Sequence, residues 1–109
     1  MEIIGVTTRT EITVSGRLIS ADVRNVPHSR RDDTYRPDRF TIKYHQWSPG
    51  RPWVFMVDLH GPKIKADGND SMHDGHEHYS IFDEPVIPAW LADLISTYRP
   101  EVNSTTEKG

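Results

Sequence analysis

Cysteine is absent from the 109 residues, which removes disulfides, thiolate metal sites and cysteine nucleophiles together and fits a reducing cytosol. Long apolar runs are missing too. Nothing approaches the ~18 consecutive apolar residues of a membrane span, and Met1 to Arg9 has no basic flank ahead of an apolar stretch. A soluble, cytoplasmic protein with no membrane partner is expected. Hydrophobic residues are scarce at 35%, while 27% are charged and 8 are proline, so the core must be thin and the loops numerous. No G-x-S-x-G elbow, phosphate-cradling glycine loop or H-E-x-x-H stretch occurs, so the commonest motif-borne routes to catalysis find no support.

What is present suffices for one domain, expected over residues 1–100 with a flexible tail at 101–109. The net charge of −3 hides an asymmetry: residues 1–52 carry nine basic and six acidic side chains, residues 53–109 four and ten. That mildly basic N-terminal half falls short of the strongly basic face usual for nucleic-acid binding, which is kept only as an alternative.

Hydrophobic periodicity divides the chain into short elements. Glu11 to Arg24 reads as a hairpin turning at Ser15-Gly16, with a bulge near Leu18 that keeps Ile19, Ala21 and Val23 on the buried face. Phe40, Ile42 and Tyr44 alternate with polar neighbours, S-P-G-R-P turns, and Trp53, Phe55, Val57 and Leu59 alternate again, which predicts a second hairpin. Gly61-Pro62 should break this strand, and a last strand is expected over Glu77 to Asp83. Trp90, Leu91, Leu94, Ile95 and Tyr98 form one apolar stripe of a helix that Pro88 can open and Pro100 must close. The expected fold is α+β: a small antiparallel sheet of about five strands with one C-terminal helix packed on one face. Open edges of such a sheet favour pairing in a homodimer.

Three stretches are candidates for function. Asn25 to Asp38 reads as a long exposed loop, and Arg24, Arg30, Arg31, Arg36 and Arg39 sit in or beside it with Tyr35 among them. Guanidinium forks so gathered suit an anion clamp, whereas Asp32, Asp33 and Asp38 would make it a neutralised, solvated loop. Trp47 and Trp53 bracket the S-P-G-R-P turn, where Arg51 can stack on an indole. Trp53 and Trp90 fit a core role and Trp47 an exposed one.

The third stretch is H-D-G-H-E-H-Y, His73 to Tyr79. A strand that includes His76 places His76 and His78 on one face, about 6–7 Å apart along the backbone, and His73 is a candidate third ligand for a divalent transition metal. The opposing reading is a polar connector rich in imidazole. Asp58 and His60 share a strand face and could act as an acid-base pair or stand as solvated side chains.

Two stretches, G-P-K-I-K-A-D-G (Gly61 to Gly68) and P-A-W-L-A-D-L-I-S-T-Y-R-P (Pro88 to Pro100), are similar to segments of small uncharacterised proteins encoded by actinobacterial genomes and their phages. The resemblance covers about the last half of the chain and rests on turn and helix-cap chemistry. It implies no catalytic residue and no cofactor. It does imply a setting, a non-enzymatic phage or prophage accessory protein in the host-cell cytoplasm that binds a host protein or a small anionic ligand. The arginines and Trp47 are the expected contacts, with the metal protein as the alternative.

Overall fold

The computed structural model describes residues 10–19, 21–26 and 33–100. Six strands form one antiparallel sheet: β1 (Thr10–Arg17), β2 (Arg24–Asn25), β3 (Thr34–Tyr35), β4 (Arg39–Gln46), β5 (Val54–Ile64) and β6 (Asp70–Ser80). A 3₁₀ helix over Ile81–Val86 leads to α1 (Ala89–Tyr98). The α+β class read from periodicity is the class observed. Among the described residues no helix is long and apolar enough to cross a membrane.

The long strand β5 organises the sheet. One of its edges pairs with β6 from Met56↔Ser80 to Ile64↔Asp70, and the other is shared end to end by β4 and β3. β1 lies outside β4, and β2 outside β3. The β4–β5 hairpin is where alternation placed it. Phe40, Ile42, Tyr44, Phe55, Val57, Leu59 and Tyr79 face one side and are buried there with Leu91 and Ile95 of α1. The chain enters α1 at Pro88, whose carbonyl accepts from Leu91 and Ala92 N–H. Trp90 and Leu94 pack partly against the core, and Tyr98, in the last turn, is half exposed. Trp53 is buried and Trp47 exposed.

A buried hydrogen bond ties the helix to the sheet. Tyr44 Oη donates to the Ile95 carbonyl at 2.6 Å, satisfying an acceptor in the final turn that has few partners within a short helix. Tyr44→Phe should therefore cost about 1–2 kcal/mol, because a buried carbonyl loses its donor. Urea unfolding checks this; unchanged stability would contradict the docking.

Four local expectations are corrected. Ser15-Gly16 is not a turn: β1 runs through it, pairing Ser15↔Thr41 and Gly16↔Phe40, and a Cβ on Gly16 would come within 2.7 Å of the Phe40 ring. That glycine makes room for a core aromatic. Ile19 is fully exposed and Val23 about half exposed, and β1 ends at Arg17 before either of them. Gly61-Pro62 lies inside β5, with Pro62 opposite Asp74 and its carbonyl accepting from Arg36 N–H at 3.0 Å. The last strand starts at Asp70 and stops at Ser80, where Ser80 and Asp83 form a capping box that turns the chain into the 3₁₀ helix and leaves Phe82 90% exposed. The 101–109 tail lies outside the described residues.

Candidate functional site

Strand register sorts the polar residues onto two faces. On the core side of β6 stand Gly75, Glu77 and Tyr79, all buried. The Glu77 carboxylate accepts from Arg24 Nε at 2.9 Å, Tyr35 Oη at 2.5 Å and Tyr79 Oη at 2.8 Å, and Arg24 Nη2 also donates to Tyr79 Oη at 2.8 Å. Burial, then the bond to Glu77, pushes the Tyr79 phenol up to about 12, and the same causes raise Tyr35 further. Every polar group of this cluster has a partner inside it, so it is an internal clasp between β2, β3 and β6. Tyr35 is accordingly a core residue and not a loop aromatic.

The other arginines do not converge. Arg36 pairs with Asp70 at 2.8 Å, and Arg39 pairs with Asp38 at 2.9 Å and Asp74 at 2.8 Å. Arg51 is exposed in the β4–β5 turn, where its carbonyl accepts from Gln46 Nε2. Arg30 and Arg31 lie outside the described residues.

The opposite face of the sheet is open. Cross-strand pairing builds it in rows, Arg39–His60–His76, then Thr41–Asp58–His78, then Lys43–Met56–Ser80, then His45–Val54. In the first two rows Asp58 Oδ1 lies 2.8 Å from His76 Nε2 and 3.0 Å from His78 Nδ1, and the His60 ring stacks on His76 with centroids 4.6 Å apart. Partial burial pushes the Asp58 carboxyl up, but the bonds from His78 and His76 outweigh it and hold the group below its ordinary value. Among the described residues no three such side chains stand as a ready metal cage, and this cluster is closed by its own hydrogen bonds. Among the described residues His73 makes no contact with this cluster and lies between Asp74 and Asp70, where the β5–β6 register is irregular.

The last two rows border a groove of about 540 Å³. Met56 and Val54 form its floor, Ile81 and Phe82 of the 3₁₀ helix one wall, and Trp47 another. Lys43, Ser80 and Glu11 supply its polar rim. His45 belongs to its lining yet is only 8% exposed, and neither ring nitrogen makes a hydrogen bond. Nδ1 lies 3.3 Å from Glu11 Oε2, near enough for charge attraction once the ring is protonated but not aligned as a hydrogen bond. A buried imidazole so placed costs about 1–3 kcal/mol until something bonds to it. No protein-family model, curated protein or solved structure matches the chain.

Sequence reasoning singled out Trp47, His76 and His78 as candidates but offered no groove. Lys43, His45, Met56 and Phe82 come from three separate elements, and only the β4–β5 register and the capped turn at Ser80 bring them together. Asp58 was visible as a strand-face carboxylate, while its histidine partners depended on the β5–β6 register.

Proposed function

We propose that this is a binding protein whose groove takes a small amphipathic anion, with an apolar body against Trp47, Met56 and Phe82 and a charged end beside Lys43 and His45. The observation that carries the reading is His45, buried in the groove lining with both ring nitrogens lacking hydrogen bonds. Lys43 supplies a positive charge at the rim, and the buried imidazole of His45, with no hydrogen bond of its own, lies in the lining beside it. Exposed aromatic and thioether surface beside a few polar groups is the usual make-up of a small-ligand site. The phage or prophage accessory setting belongs to the same proposal and is supported by the C-terminal resemblance.

The test is fluorescence titration with 8-anilinonaphthalene-1-sulfonate, an amphipathic anion, on the folded protein. Saturable binding at one site per chain is expected. Trp47→Ala and Lys43→Glu should each weaken it about tenfold, the effect of losing about 1.4 kcal/mol. Arg36→Ala, whose guanidinium is paired with Asp70 elsewhere, should leave it unchanged. Non-saturable binding, or equal loss in all three variants, overturns the assignment.

A further inference from the structure

We propose that the outer edge of β6 pairs with the same edge of a second copy of this chain, antiparallel about a two-fold axis at Gly75, so that two six-stranded sheets become one. Among the described residues β6 pairs only with β5, which leaves its other edge without a strand. The groups which that edge offers follow from β5. There the carbonyls of His60 and Pro62 accept from Asp38 N–H and Arg36 N–H, on the side of β3 and β4. Backbone direction alternates along a strand, so Leu59 and Gly61 turn their N–H and C=O toward β6, where they meet Glu77 and Gly75. Asp74, His76 and His78, which alternate with these, turn theirs outward.

Sheet edges are normally guarded by shortness, lysine, proline or a bulge. β2 is guarded by its length of two residues. β6 has eleven residues, D-S-M-H-D-G-H-E-H-Y-S, with no lysine, arginine or proline among them, and its register to β5 is unbroken from Met56↔Ser80 to Pro62↔Asp74. Met72 within it is 97% exposed.

The order of residues in β6 selects both the partner and the register. Directly opposed residues share a face, so a two-fold axis through the sheet sets each residue against one an even number of positions away. Gly75 is the middle residue of Asp70–Ser80, and an axis there engages the strand over its full length. Asp74 then faces His76 of the second copy, at two symmetric places, while His73 faces Glu77 and Met72 faces His78, with no like charges opposed. An axis at Asp74 would oppose two carboxylates, and an axis at His76 two imidazoles. The Asp74 and His76 side chains are each about half exposed, with Asp74 Oδ2 accepting from Arg39 Nη2 and His76 Nε2 bonded to Asp58. Pairing joins these groups into one polar row across both copies. Such self-complementary charge is what a second copy supplies and an arbitrary extended peptide does not.

Sedimentation velocity over a wide range of concentrations is expected to show a dimer that dissociates on dilution. Asp74→Lys sets a cation against His76 and guards the edge, and Asp74→Pro removes an outward N–H while sparing the ladder to β5. Each should raise the dissociation constant about tenfold or more, the effect of losing about 1.4 kcal/mol. Ser15→Lys, on the outer strand β1, should leave the dimer unchanged, and circular dichroism confirms that each variant is folded. Should Asp74→Pro not fold, Asp74→Lys carries the same comparison. Because the chain has no cysteine, an oxidised equimolar mixture of Asp74→Cys and His76→Cys proteins reads the register. Disulfide-linked heterodimer is expected in excess of the linked product of either variant alone, since unlike positions are directly opposed and like positions only diagonal. A monomer at every concentration, a dimer that survives the Asp74 variants, dissociation by Ser15→Lys instead, or no such excess overturns the proposal. Neither result bears on the groove reading, because Lys43 lies on β4, across β5 from this edge.

Discussion

Glu77→Ala is expected to lower the unfolding free energy by about 3–5 kcal/mol, the cost of removing one partner from a buried charge pair. The carboxylate is 4% exposed and serves three donors at once: the Arg24 guanidinium, Tyr35 Oη and Tyr79 Oη. Its removal leaves a half-buried cation without a counter-charge and two phenols without acceptors. Glu77→Gln keeps an acceptor and loses the charge, so it should cost less than the alanine variant. Urea unfolding with a shared slope measures both. A loss below about 1 kcal/mol for the alanine variant would show that the clasp adds little beyond packing.

The same cluster predicts alkaline behaviour. Tyr79 and Tyr35 have folded pKa values raised above the ordinary phenol value, so folding favours their neutral form. That contribution is fully present below about pH 10, the unfolded value, and fades as pH climbs from there through the folded value, about 12 for Tyr79. Absorbance at 295 nm during alkaline titration should show Tyr35 and Tyr79 ionising late and together with unfolding, along with Tyr44, whose phenol burial also raises. Tyr35 and Tyr79 each replaced by Phe should shrink the late phase.

Gly61→Ala should be similarly damaging, at about 3 kcal/mol or more, from overpacking against backbone. A Cβ at this position would overlap the Arg36 carbonyl oxygen and lie 2.6 Å from the Arg36 carbonyl carbon and 2.8 Å from Pro37 Cα. The chain cannot step aside, because Arg36 N–H donates to Pro62 O at 3.0 Å and Asp38 N–H to His60 O at 2.9 Å, on either side of the contact. Relieving the clash therefore breaks the ladder that joins β3 and β4 to β5. For a domain of this size the expected fall in Tm is more than about 10 °C. Gly68→Ala is the control: its φ of +88° disfavours a side chain but the space around it is open, so it should cost only about 1 kcal/mol. Equal effects for the two glycines would refute the close approach at Gly61.

The contrast between these glycines shows where legibility ended. Gly68, in Asp67-Gly68-Asn69-Asp70, is a turn residue that local chemistry announces, and the turn is there. Gly16 and Gly61 carry the same letter but are strand residues, chosen because Phe40 and the Arg36 backbone cross over them. A crossing partner more than twenty residues away leaves no trace in the neighbouring sequence. Glu77 misleads for the same reason. Between two histidines it reads as one more polar residue of a connector, and only β2 and β3 supply the guanidinium and phenol that allow its burial.

What the sequence by itself determined is whatever depends on neighbours along the chain. The α+β class, the β4–β5 hairpin, the proline-bounded helix and the shared face of His76 and His78 all follow from periods of 2 and 3.6 and from turn and cap residues. The tertiary structure alone decided which strand lies beside which and in what register. Register set Asp58 against two histidines, placed Glu77 under Arg24, and aligned Lys43, His45 and Met56 beneath Phe82. The physical reason is that pairing partners are chosen by the sum of many weak contacts across the whole sheet, each far apart in sequence, whereas alternation needs only the geometry of a single strand.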